Sequence, residues 1–504
     1  MRLPLPSSGA ESAPPARGET RQLVALFWGV LLVLTLLRIG LAATLGVSPD
    51  EAYYWTWSRH IQAGYLDHPP MIALWIRLGT ALFGDSAFGI RVLGPISALL
   101  GSIVLVRAGR DLLGSVQAGY RASLLLNATL MLGLGAATAT PDTPLVFFLT
   151  LTLWALGRLI VTGQPRWWLA TGLFFGLAFD SKYTAVLPAF ACGLWVLATP
   201  AQRRHWLWLV GGAVIGLATI LPVLAWNAAH HWASFLKQGG RASDWHPLKA
   251  VSFLAELVGG QIGLATPLVF LLFCIGIIWC LKRAGREPVA RLLACLCIVP
   301  VAVFVQHAFG GRVQANWPVV IYPAAALAAA ATHRRIGYAC ALGLGITALI
   351  SLQGMVAPLH LSAHHDVIAR QTADWSGLAH RVQEEVSPGH SLVVGDYALA
   401  SIMRYETPDQ PIYSYDNRWG FLGGHDAQDH RWGFLGGHDA QDHAYPGPKA
   451  QLLLRESEKP DLPAAWLGAA ETGRFCRLLR GQPIICYRLI NLNLPAGTAM
   501  YRLP

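Results

Sequence analysis

The segment of residues 48–70 places carboxylates beside aromatic rings in a pattern that could support chemistry. Its sequence is SPDEAYYWTWSRHIQAGYLDHPP, and it follows the first stretch that is long and apolar enough to span a membrane. Tryptophan and tyrosine side chains are enriched where lipid meets water. Carboxylates at that depth would face a water-accessible site at the membrane surface. The segment therefore predicts an enzyme that acts on lipid-borne substrates.

Asp50 and Glu51 have a structural explanation as well as a catalytic one. Ser48 and Glu51 have the spacing of a helix-capping box, and Pro49 suits the first helical position. Asp50 would then only complement the helix dipole. Capping accounts well for Glu51 but leaves the carboxylate of Asp50 available, so a catalytic role is the stronger prediction for Asp50. Tyr53 and its aromatic neighbours are expected to hold the helix in the interface.

Two further acidic positions are predicted on the same side of the membrane. Asp67 and His68 precede a second interfacial helix, and they could be cap residues, substrate ligands or metal ligands. Asp142 lies in ATPDTPL between two predicted spans, where an aspartate flanked by prolines could be a simple turn residue. Because Asp142 is expected to share a side with Asp50, a functional role is as well supported as the turn role.

Cationic and polar side chains on that side could bind phosphate. Lys182 lies at the end of a predicted span, where a charge is costly unless it is paired, and its partner could be Asp180 or a phosphate. The later outer segments add His230, His231, Lys237, Arg241, Arg312 and Asn316. Each of these alone is explained as a solvated loop residue. Together they predict an outer face rich in carboxylates and in phosphate-binding cations.

The composition is that of a polytopic membrane protein. The chain has 504 residues, of which 54% are hydrophobic and 13% charged, and its mean hydropathy is +0.43. With about 20 apolar residues needed for each spanning helix, roughly eleven spans are expected. They lie near 23–46, 87–106, 122–138, 144–162, 167–180, 184–199, 205–225, 260–281, 292–309, 317–332 and 336–357.

The distribution of lysine and arginine over the loops sets the expected orientation. Cations are more frequent in the loops that share a side with the N-terminus, which places that side in the cytoplasm. The first apolar stretch then acts as a signal anchor, and the first loop and the C-terminal region lie outside. The net charge of +10 is explained by this topology, so no nucleic-acid partner is expected.

Three regions follow from the change in composition after Pro358. Residues 1–22 are predicted to be a cytoplasmic tail, 23–358 a transmembrane catalytic bundle, and 359–504 an outer domain in which short strand-like runs alternate with helical ones. The predicted fold class is therefore mainly α. It is a polytopic membrane helix bundle with interfacial helices in the first outer loop and a small C-terminal α/β domain.

The outer domain has two local features of its own. Cys476 and Cys486 lie on strand-like runs and could pair in an oxidising compartment or stay free, whereas the other six cysteines are interpreted as small residues of apolar spans. The sequence RWGFLGGHDAQDH occurs at 418–430 and again at 431–443. A metal site is one interpretation of its His and Asp residues. A tolerated insertion in an exposed loop is favoured, because the Gly-Gly pair breaks any helix that could align ligands.

Six motifs occur in order between the predicted helices: DEAYYW, GYLDHPP, TPDTPL, SKYTA, WN…HHW and NWP. With them the chain resembles the bacterial glycosyltransferase family 39 and PMT-2 group of the GT-C superfamily, similar to aminoarabinose lipid A transferases and protein O-mannosyltransferases. The resemblance implies an inverting glycosyltransferase. Its expected partners are a polyprenyl-phosphate (undecaprenyl-phosphate) sugar donor, membrane lipids, and an envelope acceptor such as lipid A, a glycan or a protein. The implied location is the periplasmic face of the bacterial inner membrane.

The resemblance also assigns residues. The family's first-loop catalytic aspartate corresponds to Asp50, beside Glu51, and its second-loop acidic residue corresponds to Asp142. Asp67 and His68 take the place of an acidic–basic pair in which the aminoarabinose enzymes have lysine where this chain has His68. The residues expected to bind donor or acceptor are Tyr53, Asp67, His68, Lys182, Arg241, Arg312 and Asn316. Some relatives bind a divalent metal near the donor phosphate and others need none, and the candidate ligands here are His230 and His231.

A transporter or flippase of lipid-linked sugars is the alternative function. Transporters place polar residues near the middle of the bilayer, often in paired halves of the fold. The polar motifs of this chain lie in outer loops, and its membrane region has no evident internal repeat. An outer cavity lined by Asp50, Asp67 and Asp142 would favour the enzyme, whereas a polar path through the bundle would favour transport.

Overall fold

The structure is a computed structural model that describes residues 17–239, 247–333, 335–363, 365–416, 443–444, 449–495, 498 and 500–503. Arg241 and the duplicated segment, apart from its last residue, lie outside the described residues. The first helices are α1 (Arg17–Thr44), α2 (Pro49–Arg59), α3 (Met71–Phe83), α4 (Ala87–Arg91), α5 (Leu93–Leu113), α6 (Val116–Asn127), α7 (Leu130–Gly133), α8 (Asp142–Thr162), α9 (Trp167–Ser181) and α10 (Val186–Leu197). They are followed by α11 (Pro200–Arg203), α12 (Trp206–Ala229), α13 (Ala233–Gly239), α14 (Pro247–Ala265), α15 (Pro267–Arg283), α16 (Pro288–Ala308), α17 (Tyr322–Thr332) and α18 (Gly337–Val356).

Seven helices of the described part are long and apolar enough to cross a membrane. They are Arg21–Thr44, Ala87–Leu113, Asp142–Thr162, Trp206–Ala229, Leu248–Ala265, Pro288–Ala308 and Gly337–Val356. The prediction of a mainly helical, multi-pass membrane protein is confirmed, but the count of eleven spans is not. The expected span at 260–281 crosses a break at Thr266, which has a φ of 67° and precedes a new helix that begins with Pro267.

A second difference lies at 122–138, where a single span was expected. Helix α6 ends at Asn127, and the short helix α7 follows it. Arg38 of the first span is fully buried and bonds this broken segment, since it donates to the Asn127 side chain at 2.9 Å, to the Leu132 carbonyl at 2.8 Å and to the Gly133 carbonyl at 3.2 Å. Irregular backbone at membrane depth needs such partners inside the protein. Arg38 therefore holds a protein segment in place.

The C-terminal region forms a small domain of helices on a sheet, as the sequence predicts. Its helices are α19 (Val367–Thr372), α20 (Trp375–Glu385) and α21 (Tyr397–Glu406). Its strands are β1 (Ser391–Val394), β2 (Ile412–Ser414), β3 (His443–Ala444), β4 (Lys449–Arg455), β5 (Leu467–Leu479), β6 (Gln482–Asn493) and β7 (Met500–Arg502). The sheet order is β3-β7-β2-β1-β4-β6-β5, with β1 parallel to both β2 and β4. Cys476 and Cys486, opposite each other on β5 and β6, form a disulfide.

One hydrophobic core joins the C-terminal domain to the first loop. Buried residues of α2 and α3 belong to the same cluster as buried residues of α20, α21 and β1. The ring of Trp55 lies 5.2 Å from that of Tyr405, and the ring of Tyr53 lies 4.8 Å from that of Tyr397. Because α2 carries the acidic pair of the first loop, the C-terminal domain packs directly against the elements that position that pair.

Candidate active site

Asp50 lies in the first turn of α2, and its carboxylate is accessible to solvent. The only side chain of the described residues that bonds it is Tyr397, whose hydroxyl lies 3.4 Å from Oδ1. Partial desolvation against the surrounding protein raises the pKa of Asp50 above its ordinary value. The Tyr397 hydrogen bond lowers this pKa in part, and the nearby charges of Glu51, Asp67 and Asp396 raise it further. No cation of the described chain pairs with Asp50.

Glu51 is almost fully buried and its carboxylate is completely engaged. The guanidinium of Arg91 donates to both carboxylate oxygens at 2.6 Å, and the backbone N–H of Ala139 donates at 2.9 Å. Ser48 completes the capping box predicted from the sequence. Burial alone would raise the pKa of Glu51, but the charge and hydrogen bonds of Arg91 hold it below the ordinary value. This geometry favours a positioning role for Glu51 over the direct catalytic role expected from the motif.

The Arg91 side chain extends the same network to the end of the first span. It donates to the carbonyl of Leu45 at 2.7 Å and to that of Gly46 at 2.8 Å. The Glu51–Arg91 pair thus joins the end of α1, the start of α2, helix α4 and the chain at Ala139 that leads to Asp142. It fixes the loop after α1 and the loop before α8 relative to each other.

Replacing Glu51 with Gln should destabilise the protein, because Arg91 would be left buried without a counter-charge. Removing one partner of a buried ion pair costs about 3–5 kcal/mol. The apparent melting temperature of the purified protein in detergent measures this effect. Glu256→Gln is the matched control, since Glu256 pairs with Arg312 at 2.7 Å but both side chains are largely exposed. Such a pair contributes at most about 1 kcal/mol, so equal losses in the two variants would contradict the positioning role.

Asp142, Lys182 and Asn316 meet at a second, buried point of the site. Asp142 begins α8, and its carboxylate accepts from Lys182 Nζ at 2.7 Å and from the Asn316 amide at 2.7 Å. Lys182 therefore pairs with Asp142 and not with Asp180. An ammonium group has three donors, and the described residues contact only one of those of Lys182. Its remaining donors have no acceptor among the described residues.

Asp67 lies in a third cluster, which connects the first loop with α13. Its carboxylate accepts from the hydroxyl of Tyr53 at 2.9 Å and pairs with Lys237 Nζ at 2.5 Å. In the sequence, Lys237 is one of several loop cations, and no local pattern marks it as the partner of Asp67. The signal that could have identified it was the need of Asp67 for a counter-charge from another outer segment.

His68 and Tyr54 are neutral groups among these charges. Burial, together with the positive charge of Lys182, lowers the pKa of His68 to about 4. Burial raises the pKa of Tyr54 well above its ordinary value, and the charges of Asp50, Asp67, Tyr397 and Asp142 add to that effect. Sequence reasoning missed Tyr54 because it treated the whole aromatic run as an interface anchor. The i, i+4 spacing from Asp50 places both residues on one face of α2 and could have revealed it.

The remaining predicted residues are not gathered into these clusters. Arg312 pairs with Glu256 on an exposed surface, and the described contacts do not bring it to Asp142. The ring of His230 stacks on Trp226 at 4.0 Å, and its Nδ1 lies 2.6 Å from the Trp226 carbonyl. His231 is exposed. Within the described residues no group of three or more His, Cys, Asp or Glu side chains could hold a metal ion.

Comparison with known proteins confirms the resemblance indicated by the motifs. Residues 67–226 match the family model described as dolichyl-phosphate-mannose-protein mannosyltransferase. The chain is 27% identical over 289 residues to the lipid A galacturonosyltransferase RgtD of Rhizobium johnstonii, covering 56% of this chain and 59% of that protein. It is 27% identical over 230 residues to the undecaprenyl phosphate-α-4-amino-4-deoxy-L-arabinose arabinosyl transferase 1 of Pseudomonas fluorescens, covering 42% of this chain and 40% of that protein.

A third relative is the polyprenol-phosphate-mannose–protein mannosyltransferase of Corynebacterium glutamicum. The identity is 28% over 274 residues, which cover 43% of this chain and 52% of that protein. The matched part thus spans between 40% and 59% of the length of these three curated relatives. The fold is similar to that of ArnT from Cupriavidus metallidurans bound to undecaprenyl phosphate, with a TM-score of 0.61 at 18% identity over 95% of this chain and 99% of that chain.

Proposed function

We propose that this chain is an inverting glycosyltransferase that moves a sugar from a polyprenyl-phosphate donor, such as undecaprenyl phosphate, to an envelope acceptor. The observation that carries the proposal is the difference between Asp50 and the three carboxylates around it. Glu51 is paired with Arg91, Asp67 with Lys237 and Asp142 with Lys182. Asp50 is the carboxylate of this set without a described cation, and it is also the accessible one.

An accessible carboxylate with a raised pKa suits proton transfer from an acceptor hydroxyl. Asp50 takes the hydroxyl proton as the acceptor oxygen forms its bond to the anomeric carbon of the sugar. The bond from that carbon to the phosphate oxygen breaks on the opposite face, so the configuration inverts. If the acceptor is a phosphate monoester, no proton has to be removed, and Asp50 orients the acceptor.

The departing polyprenyl phosphate requires stabilisation of negative charge, which Lys182 is placed to provide. Its ammonium group is held by Asp142 in a buried position, and a fixed cation is most effective where water is excluded. Asn316 shares Asp142 and fixes the carboxylate from the other side. Neutral His68 and protonated Tyr54 can donate hydrogen bonds to oxygens of the donor without adding charge.

The cellular placement belongs to the same proposal. The polyprenyl-phosphate donor suggests the bacterial inner membrane, with the site and the C-terminal domain in the periplasm. The names of the relatives suggest lipid A, another glycan or a protein as acceptor. A divalent metal near the phosphate stays a prediction.

Purified protein in lipid nanodiscs tests the function directly. Undecaprenyl-phosphate-linked galacturonic acid, aminoarabinose and mannose are offered with lipid A or an acceptor peptide, and mass spectrometry follows the sugar. Transfer with release of undecaprenyl phosphate is expected for one of these donors, and treatment with EDTA measures metal dependence. Movement of the intact donor across a vesicle bilayer without transfer would support the flippase and contradict the enzyme.

A further inference from the structure

Tyr397 of the C-terminal domain is presented to the site by regular local structure. Strand β1 ends at Val394, and Asp396 then caps α21 by accepting from the backbone N–H of Leu399 at 2.8 Å. Tyr397 is the first residue of that helix. Because the strand and the cap fix the start of the helix, the direction of the Tyr397 side chain is set by the domain and not by a loop.

The Tyr397 side chain contacts α2 at two points. Its hydroxyl lies 3.4 Å from Oδ1 of Asp50, and its ring meets that of Tyr53 edge to face with centroids 4.8 Å apart. Tyr53 in turn donates to Asp67. The contact therefore joins the C-terminal domain to Asp50 and, through Tyr53, to Asp67.

We infer that Tyr397 is a positioning residue for Asp50 and that the C-terminal domain completes the active site. The inference rests on the proposed function. Among the described residues no cation pairs with Asp50 and the Tyr397 hydroxyl is the one side-chain group that bonds its carboxylate, so this hydroxyl sets which oxygen faces the acceptor. The same bond stabilises the ionised form of Asp50 against the like charges of Glu51, Asp67 and Asp396. The other titratable group that faces Asp50 is Tyr54, which is neutral.

Tyr405 offers a matched comparison on the same helix. It lies two turns after Tyr397, and its ring packs against Trp55 with centroids 5.2 Å apart. Both tyrosines thus join α21 to α2 through an aromatic contact, but only Tyr397 reaches the Asp50 carboxylate. Tyr405→Phe, like Tyr397→Phe, keeps the aromatic ring and removes a hydroxyl, but that hydroxyl does not bond Asp50.

The experiment compares Tyr397→Phe with Tyr405→Phe in the full-length protein. Tyr397→Phe should lower kcat for sugar transfer by about tenfold, the factor expected for one lost hydrogen bond to a charged group. It should also move the acid limb of the kcat/KM profile to higher pH, because Asp50 would be protonated more easily. Tyr405→Phe should leave both quantities at their wild-type values. A wild-type pH profile in Tyr397→Phe would overturn the inference, even if its rate is reduced.

A second readout is independent of sugar transfer. Carbodiimides react with protonated carboxyl groups, so labelling of Asp50 across pH, quantified by mass spectrometry of the peptide, follows its titration. The labelling midpoint should rise in Tyr397→Phe and stay in place in Tyr405→Phe. If the wild type transfers no sugar but this shift is present, the proposed function fails while the coupling of Tyr397 to Asp50 stands. If transfer proceeds and neither variant shifts the midpoint, the coupling is absent and the enzyme assignment stands.

Discussion

Asp50→Asn is expected to abolish measurable sugar transfer, since loss of a general base lowers kcat by about 10²–10⁴-fold. The asparagine amide keeps the shape of the side chain but cannot accept the proton of an acceptor hydroxyl. Asp50 takes part in no buried ion pair of the described chain, so folding and membrane insertion should persist. The rate is measured at equal protein concentration from the release of undecaprenyl phosphate and the formation of the glycosylated acceptor. Donor affinity, measured separately, should stay close to that of the wild type.

The pH dependence of the wild type gives the same prediction a second measurement. The proposed mechanism needs the ionised form of Asp50, so kcat/KM should fall as the pH drops through the pKa of this group. Because desolvation and neighbouring carboxylates raise that pKa, the acid limb should lie above the pH at which an ordinary aspartate titrates. Asp409→Asn, a change at an exposed aspartate of the C-terminal domain, is the control and should leave rate and profile unchanged. Near-wild-type turnover in Asp50→Asn would show that Asp50 is not the general base.

The motifs predicted several residues that the structure brings into the candidate site, but they did not predict what each residue contacts. Asp50, Asp67, Asp142, Lys182 and Asn316 all lie in the clusters described above. The capping box at the start of α2 was also predictable, because its residues are only three positions apart. Local spacing is sufficient for such features, since they depend on a single helical turn.

The partners of the charged groups could not be predicted, because they are set by tertiary packing. Asp142 lies 40 residues from Lys182 and 174 from Asn316. In the sequence, Asp180 was the nearer partner for Lys182, and no local pattern links Arg91 to Glu51. The consequence is largest for Glu51, whose burial against Arg91 favours holding two loops together over contacting substrate.

The break between α6 and α7 and the contact of Tyr397 with Asp50 have the same origin. Hydropathy detects an apolar stretch at 122–138, but it does not detect that Arg38, in another span, binds the Asn127 side chain at the end of α6 and two carbonyls at the end of α7. Tyr397 is 347 residues from Asp50. The sequence placed its domain on the same side of the membrane as the site but predicted no contact between them. In both cases one side chain decides the geometry of a distant segment.

Lys182→Met is the second change with a large expected effect, and it acts on both stability and donor binding. Methionine keeps much of the length of the side chain but removes its charge, which leaves Asp142 buried beside Asn316 alone. The cost of an uncompensated buried charge is about 3–5 kcal/mol, so the apparent melting temperature should fall. Donor affinity should fall too, and loss of the charge facing the phosphate should lower kcat by about 10²–10³-fold.

The double variant Lys182→Met/Asp142→Asn separates these two effects. Removing both charges eliminates the unpaired carboxylate, so most of the lost thermal stability should return, with Asn316 still able to bond the new amide. Donor affinity and kcat should stay low, because the phosphate still lacks its cation. Arg312→Met is the control, since its guanidinium is exposed and paired with Glu256, and it should change affinity little. If the double variant recovers donor binding together with stability, then Lys182 serves only to neutralise Asp142, and the phosphate must be bound by other residues.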